Sequence, residues 1–143
     1  KEFVEDSNSI TIIVKHIVGN MLSRWTNFLV EDGEKPWRHR EQEFVDTYQS
    51  KEDMLKAWES GWNCLFKALE SIKDGDIEKV ILIRNEEHTI TEAIVRQLAH
   101  YSYHVGQIVF IGKLLKGSDW KSLSIPKGKS DEFNAEKFSK EKS

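Results

Sequence analysis

The chain has 143 residues, enough for one domain with a real core and too few for two comfortable ones. It is 38% hydrophobic and 31% charged with a formal net charge of −3, a soluble, globular composition with no cationic excess to hold a phosphate backbone, so nucleic acid is not an expected partner. No apolar run is long enough to cross a membrane, no stretch has the layout of a signal peptide, and the single cysteine, Cys64, allows no internal disulfide, which fits a cytoplasmic setting.

Ile10, Ile13, Val14, Ile17, Met21, Trp25 and Phe28 recur every three or four residues and predict a first helix from about Ser9 to Val30, capped by Ser7, Asn8 or Ser9 and ended by Asp32-Gly33 and Pro36. From about Glu31 to Gln49 no period holds. This stretch reads as a long ordered crossover in which Trp37, Phe44 and Tyr48 need a surface to pack on. A second helix is predicted from about Lys51 to Lys73, started by the capping pair Ser50 and Asp53, with Leu55, Trp58, Trp62, Leu65, Phe66, Leu69 and Ile72 as its apolar stripe. Val80 to Ile83 is a short β-prone run, read as an extended segment or a half-buried loop. Thr89 with Glu92 forms a capping box for a third helix, about Ile90 to Lys116, which Gly117 ends. The tail from Ser118 is polar. Trp120, Leu123 and Ile125 favour docking of its first part, and one or two helical turns are expected around Asp131 to Lys140 in a flexible C-terminal segment, 128–143.

The third helix carries His100 and His104 at i and i+4, so both imidazoles project from one face and can reach one ion. A third ligand must come from elsewhere. His16, at the edge of the first helix's apolar stripe, is the best candidate, and three imidazoles would leave a coordination position open, as catalytic metal sites do. The same spacing also suits two hydrogen-bonded core histidines. Tyr101 follows His100, so the glutamate of an H-E-x-x-H protease is missing. His39 and His88 fall in predicted loops and read as surface residues. Trp25, Trp58 and Trp62 read as core.

The stretches NSITIIVKHIVGNMLSRWTNFL, GEKPWRHREQEF and EEHTITEAIVRQLAHYSYHVGQIVFIGKLL together resemble the DinB-like (YfiT-type) superfamily, and within it an uncharacterised Bacillus-type branch. The resemblance covers the chain to about Lys127, so 1–127 is expected to be the helical domain. It implies an all-α fold, a four-helix bundle in up-down-down-up order, with three histidines, here His16, His100 and His104, on a divalent metal, nickel or zinc. Three strong helices are present, so the family's first helix is expected before Lys1, or its place is filled by the tail or a second subunit; its absence would leave an apolar groove that a dimer would cover. Some members resemble thiol S-transferases that activate a low-molecular-weight thiol on the metal. A homodimer is implied as well.

A three-histidine metal with an open position would supply its own nucleophile, from water or from a small-molecule thiol. Gln107, Glu92, Gln97 and Asn20 are candidate partners for the imidazole N–H groups, Gln107 being one turn beyond His104. In the crossover, Arg38 and Arg40 could grip a substrate carboxylate, and Glu43 could act as general base or extra ligand, against the plainer reading of a solvated charged loop. The leading expectation is a metal-dependent thiol S-transferase or hydrolase. A non-catalytic metal-binding or stress-related helical dimer is the alternative, and a bundle whose histidines are purely structural is a third.

Overall fold

The computed structural model describes residues 7–139. Among them are four α-helices, α1 (Ile10–Trp25), α2 (Lys51–Glu70), α3 (Ile90–Lys116) and α4 (Ser130–Phe138), and a two-stranded sheet of β1 (Val80–Ile83) and β2 (Glu86–Thr89). The chain is thus mostly helical, as expected, but not purely so: an antiparallel hairpin pairs Val80 with Thr89 and Ile83 with Glu86. The described residues fall into two compact units, one ending at Ile108 and one starting at Val109.

In the first unit, α1 is the buried element. Ile13, Ile17, Met21 and Trp25 are each at most 2% exposed, and the helix presents apolar side chains almost all round, as a central helix must. Ser9 starts it, accepting a hydrogen bond from Ile12 N at 3.3 Å. The helix is shorter than its apolar period predicts. Thr26 turns extended and Asn27 takes φ +48°, so Phe28 reaches the core from a turn. α2 packs along α1 where Gly61 allows close approach: a Cβ there would stand 3.0 Å from Met21 Sδ and 3.4 Å from Val18 Cα. Its cap is Ser50, which accepts from Asp53 N at 3.1 Å. Of the predicted stripe, Leu65 is buried, while Trp58 and Trp62 are only half-buried and Leu55 and Phe66 lie largely exposed. Trp58, Trp62 and Phe66 form instead a run of ring contacts along the helix, with Tyr101 of α3 against Trp62. Between α2 and α3 lies an apolar groove lined by Trp62, Phe66, Leu98 and Tyr101 among others.

The crossover is ordered, though not by its aromatic residues. Trp37 and Phe44 stay about half exposed. Polar anchors hold it to α1 instead. Lys15 Nζ donates to Gln42 O, Val45 O and Thr47 Oγ1 at 2.7, 2.6 and 2.9 Å. The fully buried Ser23 hydroxyl donates to Gly33 O and accepts from Lys35 N. A 3₁₀ helix, Arg40–Phe44, closes the segment.

The hairpin is closed by Arg84 and Asn85, both at positive φ (56° and 61°), the two-residue turn that matches strand twist. Asp32 caps that turn: Oδ1 accepts from Arg84 N at 2.8 Å and Oδ2 from Asn85 N at 2.7 Å. β2 leads directly into α3 through the predicted capping box, with Thr89 N donating to Glu92 Oε2 (2.7 Å) and Glu92 N to Thr89 Oγ1 (3.1 Å). His88 therefore sits on a strand, half-buried, and not in a loop. His39 is exposed, as expected.

In the second unit Gly117 at φ +54° ends α3, and Trp120 packs over Gly112. α4 forms where helical turns were expected, with no buried residue; Lys140 lies outside the described residues. No helix among the described residues is long and apolar enough to cross a membrane.

Candidate metal centre

His16 comes from the middle of α1, and His100 and His104 from consecutive turns of α3. The fold brings the three rings together. His16 Nε2 lies 3.2 Å from His100 Nε2, which lies 3.1 Å from His104 Nε2. All three donor atoms fall within 4.8 Å of one another. A cation about 2.0–2.1 Å from each nitrogen would set neighbouring donors roughly 2.9–3.4 Å apart for angles between square and tetrahedral. The two observed spacings fall inside that range, so the donor set fits a first-row divalent cation.

The far nitrogen of each ring is held. Glu43 Oε2 accepts from His16 Nδ1 at 2.8 Å. Gln107 Oε1 accepts from His104 Nδ1 at 2.7 Å, and its own amide donates to Tyr103 OH at 3.2 Å. Gln97 Nε2 stands 3.2 Å from His100 Nδ1. Hydrogen-bonding the outer nitrogen fixes the tautomer and aims the inner lone pair. For His16 and His104, Nε2 is thereby the free lone pair. For His100, an amide that donates to Nδ1 leaves the proton on Nε2, shared toward the other two rings. Three imidazoles thus converge where a cation would sit.

The electrostatics keep His100 and His104 neutral. Burial first, then repulsion from the neighbouring His104, His16, Arg38 and Arg24, pushes His100 down from 6.5 to about 4. Burial also lowers His104, more than its bond to Gln107 raises it. Neutral imidazole is the form that ligates. Burial tends to raise Glu43, but hydrogen bonds from His16 and Arg38 outweigh it and hold the carboxyl below its ordinary range, so it is ionised.

Glu43 is buried, and Arg38 grips it with Nε on Oε1 at 2.8 Å and Nη2 on Oε2 at 3.0 Å. Arg38 thus spends its bidentate edge on a carboxylate of the protein, and Glu43 orients a histidine. Gly19 makes the reach possible, since a Cβ there would overlap the Glu43 carboxylate. Arg40 is exposed and lines a cavity of about 310 Å³ that opens beside the three histidines, together with Ile12, Phe44 and Tyr103. Of the outer-nitrogen candidates, Gln107 and Gln97 meet rings. Glu92 is in its capping box, and Asn20 accepts from Tyr101 OH at 3.3 Å. Sequence reading missed Arg24, Arg84 and Arg96, which face a second cavity beside His100; arginines on three separate segments share no spacing that would reveal it.

A family described as "Protein of unknown function (DUF1572)" matches residues 1–129. No curated protein and no solved structure matches the chain.

Proposed function

The chain belongs to the DUF1572 family, whose function is unknown, and on that premise we propose from the site itself that this is a divalent-metal protein, a metal-dependent thiol S-transferase or hydrolase using His16, His100 and His104. The observation that carries the reading is the convergence of three Nε2 atoms, 3.1 and 3.2 Å apart along two edges, with every outer nitrogen held by a side chain. Nickel or zinc suits three imidazoles. When bound there, the cation would lower the pKa of a water toward about 7 or hold a thiol as thiolate.

The chain's residues supply the rest. Glu43, locked by Arg38, holds the His16 N–H and adds negative charge that offsets the cation. Gln107, locked by Tyr103, does the same for His104 without charge. Gln97 would hold the outer nitrogen of His100 in the same way, its amide presenting Oε1 to the His100 N–H when Nε2 ligates the cation. Phe44, Ile12 and Tyr103 give the adjoining cavity apolar and aromatic wall. The DinB-like assignment, its up-down-down-up bundle, a low-molecular-weight thiol as co-substrate, a homodimer and a cytoplasmic location belong to the same proposal. They rest on the sequence resemblance and the single cysteine.

Metal analysis of protein purified without chelators tests the site. About one equivalent per chain is expected, lost in His100→Ala and His104→Ala. Less than about a tenth of an equivalent, with none taken up on adding nickel or zinc, would refute it. Incubation of the loaded protein with bacillithiol and a panel of electrophiles tests the chemistry: turnover that disappears in His104→Ala supports the transferase, and a panel without turnover reduces the role to metal binding.

A further inference from the structure

Beside the metal centre is a smaller, polar cavity of about 150 Å³, and its wall is dominated by arginine. Arg24 comes from α1, Arg38 and Arg40 from the crossover, Arg84 from the hairpin turn and Arg96 from α3, with His100 between this cavity and the histidine cluster. Two carboxylates serve these five guanidinium groups. Glu43 takes Arg38, and Glu34 Oε2 lies 3.4 Å from both Arg38 Nη1 and Arg84 Nη2. Glu43 is also committed to His16. The side chains of Arg24, Arg40 and Arg96 make no ion pair or hydrogen bond among the described residues.

Arg24 is the decisive group. It is 5% exposed, and its buried Nε has no hydrogen-bond partner. An isolated buried charge is costly, and three neighbouring cations make it worse. Burial first, then Arg96, Arg38 and Arg84, lowers its pKa, with only Glu34 opposing. The backbone is also shaped around it. A Cβ at Gly33 would stand 2.8 Å from Arg24 Cδ and 2.9 Å from Nε, so the loop passes over the guanidinium at a position with no side chain. Asn20 adds a neutral donor: its Oδ1 accepts from Tyr101, which leaves its N–H groups uncommitted among the described residues.

We propose that this cavity is an anion subsite, and that it binds the carboxylate or phosphate end of a small-molecule substrate whose reacting group lies at the histidines. Guanidinium forks match the planar oxygens of either group and bind them bidentately. At about 150 Å³ the cavity has room for such a headgroup. His100 and Arg40 line both cavities, so a molecule anchored here has its other end at the metal centre. Small anionic substrates are thereby selected over neutral ones. The anion site stands on the arginines alone; its role as a substrate subsite rests on the metal reading above.

Isothermal titration of the full chain with inorganic phosphate and, separately, with succinate tests it, in chelator-treated and nickel-loaded protein at fixed ionic strength. Saturable one-site binding of at least one probe is expected in both metal states, and the better probe tells phosphate from carboxylate. Arg96→Gln combined with Arg40→Gln, both at exposed positions that the fold tolerates, should weaken it about tenfold or more. Arg24→Gln should do the same if folded, and the exposed Lys116→Gln should change nothing. No saturable binding in either state, or binding unaltered in the double variant, overturns the proposal. Binding confined to nickel-loaded protein and indifferent to the arginines also overturns it, because the anion then sits on the metal. Arginine-dependent binding in a chain that takes up no nickel keeps the anion site and removes the metal centre.

Discussion

Glu43 reaches His16 because residue 19, one turn further along α1, has no side chain. Gly19→Ala would place a methyl group on the carboxylate. A glycine-to-alanine change inside a helix ordinarily stabilises by about 0.5–1 kcal/mol. Here the methyl should push Glu43 off the His16 N–H instead. The expected result is a metal affinity about 10–100-fold weaker, measured by competition with a chromogenic chelator, with helical circular dichroism retained. Unchanged affinity would mean that Glu43 does not support the site. His100 makes a separate prediction about acid. Its imidazole titrates near 6.5 when unfolded and near 4 in the folded protein, chiefly through burial. Between those values the unfolded chain binds the extra proton, so chelator-treated protein should lose stability as pH falls from about 6.5 to about 4, and this group should cost nothing further below. Thermal melts across that window should show a shallower pH slope in His100→Gln; equal slopes would contradict the burial of this ring.

Asp32 shows how one side chain sets an element. Its carboxylate accepts from the backbone N–H of Arg84 and Asn85 at the hairpin turn and from Glu34 N in the crossover, at 2.8, 2.7 and 2.7 Å. Burial works to raise its pKa, but these three bonds prevail and lower it. Asp32→Ala should destabilise the fold by about 1–3 kcal/mol, and amide exchange should quicken at β1 and β2 while α1 stays protected. Uniform exchange across both would show that the turn is held by its strands alone. None of this is legible in the chain, because Asp32 and Arg84 are 52 residues apart and neither belongs to a period. Local signals read well for the opposite reason. Thr89 with Glu92, and Ser50 with Asp53, act within three residues, so the starts of α3 and α2 follow directly. The end of α1 is misread because hydrophobic spacing continues through Phe28, while the backbone has already turned at Asn27. β2 is hidden by its charge: EEHT has no alternation, and it forms a strand because β1 buries Ile81 and Ile83 beside it. His100 and His104 declare a shared face by spacing alone. Placing His16 opposite them takes the tertiary fold, and so does pairing Glu43 with Arg38.

Across the whole of the first unit, the metal centre would join parts of the chain that little else joins. His16 and His100 are 84 residues apart, and Tyr101 OH on Asn20 is the other side-chain hydrogen bond from α1 to α3 among the described residues. A cation bound by all three rings is therefore a staple between two helices, and its effect on unfolding separates it from a weaker alternative. Two histidines at i and i+4 on a helix can bind nickel or zinc by themselves, but that pair reinforces only α3 and survives in partly unfolded chain. A ligand present at a hundred times its dissociation constant stabilises the native state by about 2.7 kcal/mol. For a domain of this size that raises the melting temperature by roughly 10 °C. Adding nickel or zinc to chelator-treated protein should produce a shift of that order. His16→Ala should remove most of it although the α3 pair is intact, and His39→Ala, at an exposed position away from the cluster, should keep it. An equal shift in His16→Ala would assign the cation to α3 alone, and α1 would then carry a half-buried histidine whose partner is Glu43.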